Sequence, residues 1–396
     1  MITTMAFVKD KISHFSSLQC SACDQTYSID AVNTFASCER CQRNPILSHY
    51  ELLSALSKED INTKERSMWR YFSMLPVQDK KNIVTLGEGW TPLLRLGRLA
   101  DKLGLESLYL KDESQNPTCS FKARGMSAAI SKAKELGTKH CIVPTAGNAG
   151  SAMAAYCARA GMQATIVMPT HTPKAFKTEC EYFGSQLILV DGLIGDCAKK
   201  VEELKREREY FDVSTMKEPY RIEGKKTMGY EIAEQMDWQL PDVILYPTGG
   251  GTGLIGLWKA FHEMIELGWI GNSIPRLIAV QSENCKPVVE TFLTGSASSP
   301  CLPSVANGLA VPTPFAQRLI QKVLLDTNGQ ALAVSENDIR DCIKEIAATE
   351  GMFLAPEGAA LLSALRKMQS VGKIKSTEKI LLLNTGSGYK YLDNLY

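Results

Sequence analysis

Net charge is almost missing from this chain: 44 Lys and Arg oppose 43 Asp and Glu, a formal +1 over 396 residues. No global field draws it to nucleic acid or to an anionic membrane. Also absent is any apolar run near the roughly 18 residues that a membrane span requires. The first residues, MITTMAFVKDKISHF, lack a charged head followed by a long apolar core, so a signal peptide is not expected. There is no internal repeat and no low-complexity tract. What is left is an ordinary globular composition, 44% hydrophobic and 22% charged, long enough for two domains with a substantial core.

Most of the twelve cysteines, such as Cys141, Cys157 and Cys342, sit singly in apolar segments, the usage of a reduced intracellular protein. Four differ. Cys20-x-x-Cys23 and Cys38-x-x-Cys41 form two thiolate pairs with the spacing of a structural zinc site. A rubredoxin-like iron site and a ribbon without metal remain open. Between Leu18 and His49 the basic residues are Arg40 and Arg43 against Asp24, Asp30 and Glu39, which is no basic patch. The ribbon therefore reads as a structural clip, not a nucleic-acid reader.

Tyr50–Asn82, with apolar Leu52, Leu53 and Leu56, reads as a connector packing on the main body. Leu86-Gly-Glu-Gly-Trp-Thr-Pro-Leu93 offers free backbone N–H groups and a hydroxyl, although a surface turn accounts for it as well. The organising stretch is Ser114–Gly125, SQNPTCSFKARG. Asn116 and Pro117 end a strand at Leu108–Lys111, Ser120 is the predicted helix N-cap, and Lys122 falls in the first turn of a helix to about Leu136. An ammonium is disfavoured at a helix N-terminus, so the position lowers the lysine pKa and suits Schiff-base chemistry. A solvated helix-start lysine is the alternative.

Strands and helices then alternate: strand Lys139–Pro144, helix Ser151–Ala160, strand Thr165–Met168, helix Pro173–Phe183, strand Gln186–Val190, helix Leu193–Arg208. This pattern predicts a parallel sheet covered on both faces. Between the first strand and helix, Thr145-Ala-Gly-Asn-Ala-Gly150 is a candidate anion site, with Asn148 adding an amide, although a tight turn explains the asparagine too. After Pro219–Gly224 returns the chain to a larger lobe, strand Asp242–Tyr246 precedes Pro247-Thr-Gly-Gly-Gly-Thr-Gly253 and helix Leu254–Glu266, the strongest phosphate cradle in the chain. Gly251-x-Gly253-x-x-Gly256, with Glu283 after the strand Leu277–Gln281, also fits a nicotinamide dinucleotide. Strand Ala331–Val334, helix Glu336–Glu350, the segment Phe353–Ala360 with a further helix, and strand Lys379–Leu383 follow. Asn384-Thr-Gly-Ser-Gly388 lies at that last strand's C-terminal end, where parallel sheets bind ligands, which puts Thr385 in reach of one.

In order, LGEGWTPLLRL, SQNPTCSFKARG, PTAGNAG, PTGGGTGL and NTGSG resemble the pyridoxal-phosphate enzymes of the tryptophan-synthase β family, most closely its threonine synthase branch. The N-terminal cysteine segment resembles one found in many of that branch. The resemblance implies an α/β fold of two doubly wound parallel-sheet lobes with a small zinc-ribbon-like hairpin: ribbon 1–50, a large lobe from 51–124 and 216–396, and a small lobe 125–215. It implies that Lys122 carries the cofactor, pyridoxal 5'-phosphate, as a Schiff base and shuttles protons. Asn148 would bond the ring's phenolic oxygen, Gly249, Gly250, Gly251, Thr252 and Gly253 would cradle the phosphate, and Thr385 would face the ring nitrogen. The substrate, a small amino acid, would meet Thr91, Arg124, Thr145, Ala146 and Gly147, with Lys225 and Lys226 as further phosphate partners or a solvated face. Two departures bear on the substrate: Cys119 and Ala123 replace a glycine and an aspartate, and Ser387 replaces a histidine. The implied reaction converts O-phosphohomoserine and water to threonine and phosphate in a cytoplasmic homodimer, a lyase reaction. A threonine or serine dehydratase, another β-replacement enzyme and a partner-binding protein with a relic cofactor site are the alternatives.

Overall fold

The computed structural model describes residues 13–30, 37–51 and 56–395. Leu52, Leu53 and most of MITTMAFVKDKISHF lie outside the described residues.

Two parallel sheets organise the chain. The larger runs in the order Gln330–Val334, Arg276–Ser282, Val243–Pro247, Lys379–Asn384, Ser107–Asp112, Leu93–Arg95, and only the last pair is antiparallel. The smaller runs Gln186–Val190, Gln163–Pro169, His140–Pro144, Phe211–Asp212, all parallel. The inner strands are continuous apolar runs, such as Val243–Pro247 with every residue buried, because helices cover both faces. Observed bounds lie close to the predicted ones, and the strand Gln186–Val190 and helix Glu336–Glu350 coincide with them. Three helices begin earlier than periodicity suggests, among them Thr252–Glu266, two residues ahead of Leu254. Asn148–Ala160 starts at the asparagine itself, and Pro356–Ser370 starts at a proline whose fixed φ suits a first helical position.

The helix Tyr220–Gln235 has no counterpart in the sequence reading. It is buried along nearly its whole length despite Arg221, Glu223, Lys225, Lys226 and Glu231. Several of its charges meet partners far away in sequence, as Glu231 meets Lys111 and Arg124 and Lys226 meets Glu263, so no polar face marks it as a helix. It packs against the helices Lys122–Glu135 and Thr252–Glu266. Gly224 permits that approach, since a Cβ there would lie 1.9 Å from the Arg124 carbonyl oxygen.

At the N-terminus, Phe15–Cys20 pairs antiparallel with Thr26–Tyr27 and Ile46–Tyr50. Phe15 and Tyr50 pack on the main body, with Phe15 edge-on to Tyr220 and the Lys226 ammonium 3.7 Å from the centre of the Tyr50 ring. Arg318 adds bonds to the Ser21 carbonyl and hydroxyl, each 3.0 Å. Among the described residues no helix is long and apolar enough to cross a membrane.

Candidate active site

A cavity of about 350 Å³ opens at the C-terminal ends of strands from both sheets. Lys122, Thr145–Asn148, Gly249–Thr252 and Thr385 line it. Three separate loops of the sequence therefore meet at one place.

Lys122 is the first residue of its helix, but Ser120 does not cap it as predicted. Ser120 is extended (φ −160°, ψ 156°), and its buried hydroxyl has no hydrogen-bond partner. The lysine is half-buried, facing the cavity, with its amine 4.1 Å from the centre of the Phe121 ring. Loss of hydration lowers its pKa to about 7; the Arg221 charge acts in the same direction, and Glu357 opposes both. The helix start adds to the lowering. An amine so depressed is substantially unprotonated near neutrality, as nucleophilic and proton-transfer roles require.

Opposite, strand Val243–Pro247 ends in the glycine loop, and the helix Thr252–Glu266 begins with N–H groups that have no intrahelical partner. Gly251 adopts φ +75°, and a Cβ there would lie 2.4 Å from Ile320 Cδ1. Gly249 passes so close to Gly308 that a Cβ would meet its carbonyl oxygen at 2.2 Å. Gly253, expected in the cradle, does not reach the cavity; it is held small by Tyr246, whose hydroxyl would sit 1.8 Å from an added Cβ. Behind the loop Lys225 donates to Thr252 Oγ1 at 2.6 Å. Arg221 is buried, with Nε 4.0 Å from Glu218, and Lys217 stands on the cavity wall, paired with Glu202 at 2.7 Å. Lys225 is a candidate from the sequence alone, whereas Arg221 and Lys217 are not. A basic run inside a motif-free helix gives no signal of which residue turns inward.

Thr145 Oγ1 accepts from Gly147 N–H and Gly150 N–H at 3.1 and 3.3 Å, which fixes the loop holding Ala146 and Gly147. Asn148 has one side-chain bond, from Nδ2 to Tyr391 Oη at 3.2 Å, and its buried Oδ1 has no partner.

Two expected substrate residues lie elsewhere. Arg124 is fully buried in a network with Glu113 and Glu231, at 2.6 Å from Nε to Glu113 Oε2 and 2.5 Å from Nη1 to Glu231 Oε1. Thr91 donates to Glu113 Oε1 at 2.6 Å, and neither residue reaches the cavity. The loop around Thr91 uses its donors internally as well: Trp90 N–H binds Glu231 Oε1 at 2.7 Å and Gly89 N–H binds Asn116 Oδ1 at 2.9 Å. Lys226 is no solvated face either, because it is buried against Glu223 at 2.7 Å and Glu263 at 2.9 Å. Cys119, Ala123 and Ser387 do not line the cavity. Glu283, the ribose partner of a dinucleotide site, is paired with Lys367 at 3.2 Å and is also off the cavity. In contrast, Glu357 and Tyr391 do line it, from segments to which the sequence assigned no role.

The cavity fits pyridoxal phosphate. It supplies an amine with its pKa lowered to about 7, a glycine cradle that side chains would fill, buried positive charge behind that cradle, and an Asn148 amide with one hydrogen to spare. In the ribbon, the sulfurs of Cys20, Cys23, Cys38 and Cys41 all lie within 4.8 Å of one another. The separations Cys20–Cys41 and Cys23–Cys38 are 3.6 and 3.7 Å. A tetrahedral ion with Zn–S near 2.3 Å needs sulfurs about 3.8 Å apart, so the donor set is compatible with zinc.

Residues 84–386 match the family described as pyridoxal-phosphate dependent enzyme. The chain is 32% identical to threonine synthase of Methanocaldococcus jannaschii over 379 residues, 94% of this chain and 92% of that one. It is 31% identical to threonine synthase of Methanosarcina acetivorans over 376 residues, 93% and 91% of the two chains. Among solved structures, O-ureido-L-serine synthase superposes with a TM-score of 0.65 at 21% identity, covering 77% of this chain and 91% of that one. Processed threonine deaminase isoform 2 of Solanum lycopersicum gives 0.64 at 24% identity, covering 75% and 79%. Those two likenesses concern the fold, and the sequence relatives carry the family: this chain belongs to the pyridoxal-phosphate-dependent enzymes, in the threonine synthase family.

Proposed function

We propose that the chain converts O-phosphohomoserine and water to L-threonine and phosphate. The observation that carries the reading is the depressed, cavity-facing amine of Lys122 beside a glycine cradle backed by the buried Lys225, which has no carboxylate partner among the described residues. Relatives named threonine synthase along more than nine-tenths of the chain support it.

Bound pyridoxal phosphate supplies an aldehyde for amine attachment and a conjugated ring that takes up electron density. Lys122 Nζ holds the cofactor and moves the proton at the substrate's α-carbon. The Gly249–Thr252 backbone binds the cofactor phosphate, with Lys225 adding charge through Thr252. Asn148 binds the ring oxygen, and Thr385 faces the ring nitrogen with a hydroxyl in place of a carboxylate. The Thr145–Gly147 loop receives the substrate carboxylate. Lys217 and Arg221 take the part first given to Arg124, offering positive charge to the departing phosphate.

The division at residues 50, 124 and 215, a zinc ion in the ribbon, a homodimer and a cytoplasmic location belong to the same proposal. The test is a parallel assay: phosphate released from O-phosphohomoserine against oxoacid formed from threonine or serine. Threonine and phosphate in equal amounts support the reading. Oxoacid formation without phosphate release points to a dehydratase and defeats it.

A further inference from the structure

Three polar side chains form a directional chain at the cavity wall. Gly308 N–H donates to Glu357 Oε1 at 2.7 Å, and Tyr391 Oη donates to the same oxygen at 3.0 Å. Asn148 Nδ2 donates to Tyr391 Oη at 3.2 Å. Glu357 is 5% exposed and Tyr391 2% exposed, so water does not replace these partners.

The direction follows from what each group has to give. A hydroxyl carries one proton. A glutamate oxygen already taking one backbone N–H is an acceptor, so the Tyr391 proton goes to Glu357. The Tyr391 oxygen is then left as an acceptor, and the group that meets it must be a donor. This selects Nδ2 of Asn148 and turns Oδ1 elsewhere, where it is buried and unpartnered. The second Nδ2 hydrogen remains available. An amide whose two ends are otherwise interchangeable thus has one orientation set by a carboxylate two bonds away.

We propose that Glu357 and Tyr391 are positioning residues that fix the amide of Asn148 with a free N–H available to the cofactor's ring oxygen. The inference rests on the reading of Asn148 given above. The other charged group facing Glu357 is Lys122. Burial raises the Glu357 pKa, and the bonds from Gly308 and Tyr391 pull the other way, as does Lys122. Protonation leaves the direction unchanged. A proton on Glu357 would sit on Oε2, which has no partner, while Oε1 still accepts from Tyr391.

Tyr391 lies 243 residues from Asn148 and belongs to the short helical turn Gly388–Tyr391 near the C-terminus. Lys390 ties that turn across to Glu179 at 2.6 Å. The C-terminal segment is thereby a working part of the site wall.

The test is cofactor affinity, measured by titrating pyridoxal phosphate into cofactor-free protein, for Asn148→Ala, Tyr391→Phe, the double variant and Glu357→Leu. Tyr391→Phe keeps the ring that packs on Phe176 and removes only the relay hydroxyl. It is expected to weaken binding roughly tenfold, the scale of one buried hydrogen bond. Asn148→Ala is expected to weaken it at least as much, and the double variant no more than Asn148→Ala, because the two act as one unit. Glu357→Leu, which removes the oxygen that accepts from Gly308 and Tyr391, is expected to match Tyr391→Phe. Should Tyr391→Phe fail to fold, Glu357→Leu carries the comparison. Wild-type affinity in Tyr391→Phe, or a double variant in which the two losses multiply, overturns the relay while leaving the assignment of Asn148 standing. Wild-type affinity in Asn148→Ala overturns both.

Discussion

The ammonium of Lys225 lies 2.6 Å from Thr252 Oγ1 and has no carboxylate within ion-pair distance among the described residues. It is 1% exposed, and burial and the Arg221 charge, with that of Lys122, hold its pKa well below the ordinary lysine value. An unpaired buried cation is costly unless an anion joins it. The glycine loop that Thr252 closes is where that anion belongs. Lys225→Met keeps the length of the side chain and removes the charge. The expected result is a cofactor dissociation constant higher by about ten- to a hundredfold, the scale of a charged hydrogen bond, with the fold intact. Equal affinity in the variant would separate Lys225 from the phosphate.

Lys122 gives a pH dependence with a definite sign. Its pKa is about 7 in the folded protein against 10.5 ordinarily, so the unprotonated fraction rises with pH through neutrality. In cofactor-free protein, acylation of Lys122 by an amine reagent should reach half its plateau near pH 7. The exposed Lys81, whose neighbour Asp79 raises its pKa, should still be mostly unreactive there. Peptide mass spectrometry reads both sites in one sample. A Lys122 profile centred near that of a free lysine contradicts the desolvated environment. Lys122→Ala should lose the covalent cofactor link and turnover together.

Arg124 separates a structural role from a substrate role. Its guanidinium and the Lys111 ammonium balance Glu113 and Glu231 in a fully buried cluster. Arg124→Ala leaves an uncompensated charge in the interior and should cost about 3–5 kcal/mol of stability. Chemical denaturation checks this. Activity per folded molecule should fall less than the yield of soluble protein. A variant of wild-type stability with a raised KM would restore Arg124 to the substrate.

The ribbon predicts a metal effect on stability and not on chemistry. Metal analysis should find one zinc per chain, and Cys23→Ser or prolonged chelation should lower Tm. The folded fraction should keep its turnover, since none of the four cysteines lines the cavity. Iron in place of zinc would identify a rubredoxin-like centre.

Much of the architecture was legible because its signals are local. Alternating strands and helices, the glycine loop after Val243–Pro247 and the paired cysteines each depend on residues a few positions apart. The same holds for the three loops that meet at the cavity. The sequence failed where a residue's environment comes from distant segments. Arg124 follows Lys122 by two positions, yet its partners Glu113 and Glu231 come from separate elements and draw it into the core. Lys225 and Lys226 are adjacent, but successive residues on a helix point about 100° apart, so one turns to the cradle and the other to Glu223 and Glu263.

By itself the sequence determined the class of fold, the lysine, the glycine cradle and the four sulfurs, because turn chemistry and short-range periodicity specify them. Only the tertiary structure decided which charges are neutralised in the interior and which remain free at the cavity. It also brought Glu357 and Tyr391 to Asn148. A buried charge or hydroxyl takes its meaning from the partner it meets, and that partner is chosen by packing between segments hundreds of residues apart.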